Sequence, residues 1–352
     1  MRPQGAPSTG SAALPLLAEI DLQVINTWRR RLLKKDGAGP RIAVVGNCQS
    51  FGIAYGMKLF NPDSVVHRFT IVRPGWVGLD LLERTLRDYD YVFSLEFQKG
   101  FVKGGDWLAL RDRMPSIIPF PSVVFSGFHP DTIYILDPTR KHRPLDSATG
   151  PYHSAIALYG FLAGLSAERT EALFNPNVFR LLGYFDVWGP AADEFLQSAN
   201  GVGLDLSTEF IRWSRRGCFM YSMNHPKAFV LADVARALLL REKLPVAEAD
   251  FDDFAVDDIV RGSVFPVYPP IAEQYGHQGS YTFKLGNYKL SRSVGDFMTL
   301  RRFIESSFGI YKGYAREQLT HHRVEGWLGN EGLGRTLALM SAENLAERAR
   351  AA

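Results

Sequence analysis

The run Arg41-Ile42-Ala43-Val44-Val45, set between Ala38-Gly39-Pro40 and Gly46-Asn47, constrains the fold more than any other segment. A short β-branched stretch with no polar alternation, bounded by turn residues, reads as a strand buried on both faces. Gly46-Asn47-Cys48-Gln49-Ser50 follows as a tight turn, and residues 51–60 are apolar at helical spacing. After Asn61-Pro62-Asp63, a second β-branched run at 65–72 completes a strand, helix, strand unit. Strands joined through helices lie parallel, so the chain opens as a parallel α/β sheet.

The later pattern extends that sheet and then turns helical. Residues 80–86 read as a helix, 91–95, 122–125 and 132–136 as strands, and 152–182 as helical, broken at Asn175-Pro176 and closed by Gly183. Helices are expected at 190–200, 207–215, 228–240, 294–308 and 335–352, with a late strand at 219–223 and irregular loops over 245–287. The expected class is α/β, a mainly parallel central sheet flanked by helices in an SGNH/Rossmann-like three-layer arrangement, with extra C-terminal helices. Three segments follow: a flexible lead-in at 1–40, an α/β catalytic domain at 41–314 and a helical tail at 315–352, whose last helix offers a surface for a second chain. Within the lead-in, 16–33 is an amphipathic pattern ending in arginines. It reads as a solvated surface helix, with peripheral membrane contact as the other reading.

Composition removes several classes. A net charge of +3 over 352 residues is too mild for a nucleic-acid footprint. Two cysteines, Cys48 and Cys218, without a CxxC pair, exclude a multi-cysteine zinc site and a redox dithiol, and suit a reducing cytoplasm. The longest uncharged apolar stretch, near 154–166, is shorter than the roughly 20 residues a spanning helix needs. GxGxxG after the first strand, GxxxxGK[ST], HExxH and GxSxG are all missing, and the adjacent pair His321-His322 makes a poor metal site, so no metal is expected.

The chemistry centres on Cys48. It stands at the carboxyl end of the first strand, the edge where open α/β sheets bind ligands. A helix start there favours an anion and should lower a thiol pKa. Gly46, Asn47, Gln49 and Ser50 surround it, and the amides of Asn47 and Gln49 with the turn's N–H groups can form an oxyanion hole. The competing reading makes Cys48 a small buried apolar residue. His129, after a strand and before Pro130, is the best-placed base among eight histidines, with Asp131 to orient its ring; the alternative has Asp131 capping the next segment. His225 and Lys227 lie in Asn224-His225-Pro226-Lys227 ahead of a helix. With Arg215 and Arg216 they form either a phosphate-binding corner or an ordinary capped helix start, Asn224 as cap and Pro226 in first position.

Taken together, Gly46-Asn47-Cys48-Gln49, Phe125-Ser126-Gly127-Phe128-His129-Pro130-Asp131, Tyr152-His153-Ser154 with Gly164-Leu165-Ser166, and Asn224-His225-Pro226-Lys227 resemble, in order, the blocks of the WcbI-type polysaccharide biosynthesis family. The resemblance runs from about residue 41 to 311. It implies an enzyme of capsule assembly that acetylates sugar hydroxyls, with coenzyme A as the acyl donor and a sugar or polysaccharide precursor as acceptor. The first block is also similar in position to the GDS opening of SGNH-type esterases, with Cys48 where serine would stand, but no Asp-x-x-His pair near the C-terminus completes that triad.

The expected reaction is acyl transfer in the cytoplasm or at the inner membrane surface, with Cys48 as nucleophile or as a thiol lining the site and His129 as base. A thiol esterase using the same residues, and a non-catalytic sugar- or nucleotide-binding subunit, are the alternatives. Covalent and direct transfer remain open at this stage.

Overall fold

In the computed structural model, which describes residues 39–71, 77–137, 143–286 and 296–351, the apolar opening run forms a strand, β1 (Arg41–Gly46). The turn after it leads into α1 (Ser50–Phe60) and then β2 (Val65–Thr70). α2 (Leu79–Leu86), β3 (Tyr91–Leu95), α3 (Trp107–Arg113) and β4 (Ile118–Phe120) complete the first of two compact units, which also takes in Leu244–Ala249. The sheet order is β2-β1-β3-β4, parallel at every pairing. The lead-in and its expected helix at 16–33 lie outside the described residues.

Position in the sheet explains the sequence of β1. Flanked by strands on both sides and helices on both faces, Ile42, Ala43, Val44 and Val45 are fully buried. Ala43 and Val45 pack into one cluster with Leu79, Leu82, Leu86, Trp107 and Leu110 of α2 and α3. By the pleat, Ile42 and Val44 face the opposite side, where α1 buries Ile53, Met57 and Phe60. β4 carries Pro119, which an edge strand tolerates because the missing N–H breaks no interior ladder.

The second unit comprises Pro121–Lys243 and Asp250 onward. It is helical: α4 (Ala155–Leu162), α5 (Ala167–Glu171), α6 (Pro176–Leu181), α7 (Trp188–Gly201), α8 (Ser207–Arg216), α9 (Ala228–Arg241), α10 (Pro269–Gln274), α11 (Leu300–Tyr311), α12 (His322–Gly329) and α13 (Glu331–Ala351). Its core gathers α4, buried from Ala155 to Gly160, with Phe174, Phe179, Tyr184, Tyr268, Phe283, Phe303 and Tyr311. Gly160 has a packing reason: a Cβ there would stand 2.2 Å from Thr170 Oγ1, so only glycine lets α5 lie this close to α4.

Several expected elements differ. Residues 122–125 form no strand, and Phe125 N–H donates to Met223 O at 2.7 Å. The fourth strand is instead 118–120, and the division between the two compact units falls after Phe120. The strand read at 132–136 splits in two: Thr132–Ile133 pairs with His153–Ser154, and Leu136–Asp137 with Arg143–Pro144. Met220–Ser222 pairs with His225–Pro226 in a hairpin and, among the described residues, with no strand of the main sheet. The helical stretch from 152 breaks at Gly164, φ +72°, as well as at the Asn175 cap and at Gly183. Among the described residues no helix is long and apolar enough to cross a membrane.

Candidate active site

In the first unit, the turn from β1 to α1 is wound around Asn47. Its Oδ1 accepts the Gln49 N–H at 3.0 Å, and its carbonyl accepts Ser50 N–H at 3.1 Å and Ser50 Oγ–H at 2.7 Å. The side-chain oxygen of Asn47 therefore shapes the turn, and its Nδ2 end carries the donors. Gln49 is 1 % exposed, so its side chain belongs to the packing of the turn rather than to a solvent-facing hole. A Cβ on Gly46 would meet Ser50 Cβ at 3.3 Å and Phe120 Cζ at 3.4 Å, a fit tight enough to account for glycine at the strand's end.

Cys48 is a free, half-buried thiol. Burial pushes its pKa up to about 11, and the N–H groups of Cys48 and Gln49 offset only part of that rise. The lowered value expected from a helix start is thus overturned. Desolvation of the thiolate outweighs two backbone donors, and the thiol is protonated at neutral pH.

In the second unit, His129 and Asp131 sit on successive turns but do not pair. His129 is 3 % exposed; its Nε2 lies 3.0 Å from the Phe265 carbonyl, which can only accept, so Nε2 carries the proton. Nδ1 keeps its lone pair and is buried without a hydrogen-bond partner. Burial drops the pKa to about 4, so the ring is neutral at physiological pH. Asp131 serves the fold instead. Its Oδ1 accepts Ile156 N–H at 3.0 Å and Tyr184 O–H at 2.7 Å, and its Oδ2 accepts Tyr268 O–H at 2.9 Å. Asp131 does not cap the segment that follows it but accepts from the start of α4, 25 residues on, and from two tyrosines.

The corner before α9 is also arranged differently from a phosphate cradle. Asp257 Oδ2 accepts Ala228 N–H and Tyr221 O–H, each at 3.0 Å, so a carboxylate already occupies this helix start. Arg216 pairs with Asp252 at 2.6 Å and lies over the Phe229 ring, whereas Arg215 is exposed at the end of α8. Lys227 takes the cap position without a side-chain bond and lies 5.7 Å from the Tyr221 ring centre. Asn224 is not a cap: its Oδ1 accepts Tyr152 O–H at 2.5 Å, and its Nδ2 donates to Tyr134 Oη at 2.7 Å. His225 Nε2 lies 3.2 Å from the same Tyr152 hydroxyl. This Tyr134-Asn224-Tyr152-His225 chain links two of the blocks seen in the sequence, those at 152–154 and 224–227.

The buried neutral imidazoles set an acid limit on stability. His129 and His153, the latter fully buried between Leu145 O and Tyr311 Oη, both have folded pKa values near 4 against 6.5 when free. Below pH 6.5 the unfolded chain takes up protons that the folded one refuses. Stability is complete above that value and is lost as pH falls toward 4, by at most roughly 3 kcal/mol per histidine. Denaturation midpoints measured from pH 7 to 4 should fall steeply over that window, and His153→Asn should flatten the fall.

A short parallel sheet whose first strand ends beside a free thiol, followed by a helical unit with buried imidazoles, makes this an α/β protein. The family model described as polysaccharide biosynthesis enzyme WcbI matches residues 41–246, and this chain belongs to that family of polysaccharide biosynthesis enzymes. The match begins where the sequence resemblance does and ends earlier than residue 311. A solved WcbI structure is similar in fold, with a TM-score of 0.58 and 14% sequence identity, over 86% of this chain and 99% of that one. It is described as the native protein without a disulfide bond between coenzyme A and one of its cysteines. No curated protein matches the chain.

Proposed function

We propose that this enzyme transfers an acyl group, acetyl by family resemblance, from a coenzyme A thioester to a hydroxyl of a surface-polysaccharide precursor in the cytoplasm. The observation that carries the reading is Cys48 itself. It is a free thiol at the carboxyl edge of β1, in a family of which one solved member is described as the native protein without a disulfide bond between coenzyme A and one of its cysteines. The Cys48 N–H suits a thioester carbonyl at this turn, since the Gln49 N–H is already held by Asn47 Oδ1 at 3.0 Å. At the α9 corner the donor set is less apt, since Asp257 and Asp252 already engage the helix start and Arg216; Arg215 and Lys227 are the cations proposed to meet phosphate, with His225 beside them.

In the covalent route, Cys48 sulfur attacks the thioester carbon, coenzyme A leaves as its thiol, and the sugar hydroxyl then displaces Cys48. His129, neutral with an open Nδ1, is proposed as the base for each proton. The raised Cys48 pKa favours a second route, direct attack by the hydroxyl with Cys48 lining the site. Mixing the enzyme with acetyl-CoA, quenching, and reading the Cys48 peptide by mass spectrometry distinguishes them. A stoichiometric acetyl-Cys48 supports the covalent route, and its absence with transfer retained in Cys48→Ser supports the direct one. Acetate released regardless of sugar would point to the esterase, and no turnover at all to a binding subunit.

A further inference from the structure

The second unit contains a cavity of about 570 Å³ that neither His129, Asp131 nor His225 lines. Its wall includes Thr132, Tyr134, Glu194, Met223, His321 and Glu325. Thr132 is 5 % exposed, and its Oγ1 is buried with no hydrogen-bond partner, a polar group that a ligand can satisfy. Tyr134 is half-buried and held at its hydroxyl by Asn224, which fixes the angle of its ring. His321 is not inside a helix but caps α12: its Nδ1 accepts the Arg323 N–H at 3.3 Å, which puts the ring proton on Nε2. Burial, with His322 and Arg323 close by, holds its pKa down to about 4, so it is a neutral donor. Glu194 and Glu325 are exposed acceptors.

The set is specific in chemistry. A neutral N–H donor, a hydroxyl and two carboxylates alternate with an aromatic ring and a thioether, which matches a polyol with apolar C–H faces. Arg323 shares the wall, with its Nη1 donating to the Pro130 carbonyl, so the cavity's charged groups are one guanidinium and two carboxylates, a poor match for a polyphosphate. The volume falls within the range of small-ligand sites. The cavity also adjoins the proposed base through the backbone: Ser126 O accepts His129 N–H at 2.9 Å, His129 O accepts Thr132 N–H at 3.0 Å, and both Ser126 and Thr132 line the wall.

We infer that this cavity binds an uncharged sugar ring, and, resting on the acyl-transfer reading, that this ring belongs to the acceptor. Saturation-transfer NMR on the full chain, with the methyl glycosides of glucose, galactose, mannose and N-acetylglucosamine, tests the binding directly. At least one glycoside should receive transfer from the wild type. Thr132→Val, which keeps the shape and removes the hydroxyl, and Glu194→Gln should each weaken it about fivefold or more, the loss of one hydrogen bond. Coenzyme A binding, followed by thermal shift on the same folded variants, should not change.

No transfer from any of the four glycosides, or transfer undiminished in both variants, would overturn the proposal. So would a loss of coenzyme A binding in Thr132→Val, which would make the cavity the donor's. Glycoside binding that depends on Thr132, without coenzyme A release from acetyl-CoA, would sustain the sugar site while removing the acyl-transfer reading.

Discussion

Asp131→Ala is expected to destabilise the second unit by about 3–5 kcal/mol, the cost of deleting a buried acceptor and stranding its donors. Tyr184 and Tyr268 hydroxyls and the Ile156 N–H all point at this carboxylate from buried positions. None of them has water to turn to. Burial drives the Asp131 pKa upward while these donors, with Ser154, pull it down, so the group is in balance between two large effects. Asp131→Asn should cost far less, about 1 kcal/mol, because one oxygen remains and a tyrosine hydroxyl can turn to accept from the new Nδ2. Urea denaturation of the three proteins decides the matter. If Asp131 instead oriented the His129 ring, alanine would depress turnover at an unchanged midpoint.

That contrast shows which parts of this protein a sequence discloses. β1 was legible because a strand buried on both faces must be apolar throughout, and Gly46-Asn47 marks its end in local chemistry alone. The break at Asn175-Pro176 was legible for a similar reason, since the Asn175 side chain accepts N–H groups two and three residues on. What bears on Asp131 lies 53 and 137 residues away, and no local spacing announces Tyr184 or Tyr268. Asp257 reaches the start of α9 from 29 residues on and accepts its Ala228 N–H, a contact that no local spacing announces. The run at 122–125 has strand composition, but a ladder needs a neighbour, and the sheet ends one residue before Pro121. The position of Cys48 was legible; its ionisation was not, because desolvation is a sum over everything packed around the sulfur.

The Cys48 thiol carries the largest expected effect. In the protein alone, in a Cys218→Ser background, iodoacetamide should alkylate it slowly at pH 7, with a rate that climbs about tenfold per pH unit until it levels near pH 11. An ordinary thiol levels off about two units lower and reacts roughly a hundredfold faster at neutral pH. Slow alkylation is therefore no sign of a non-catalytic subunit, since burial alone produces it.

The same number limits the mechanism. With the thiol near 11, a standing thiolate is scarce at neutral pH. A covalent enzyme must therefore deprotonate Cys48 as sulfur meets the thioester carbon, where the Cys48 N–H can take up the charge on oxygen instead of on sulfur. Under that requirement Cys48→Ser, with a poorer nucleophile in the same place, should lose transfer by about a thousandfold or more at an unchanged denaturation midpoint. A loss of less than about tenfold would assign the attack to the sugar hydroxyl and leave the sulfur as part of the wall.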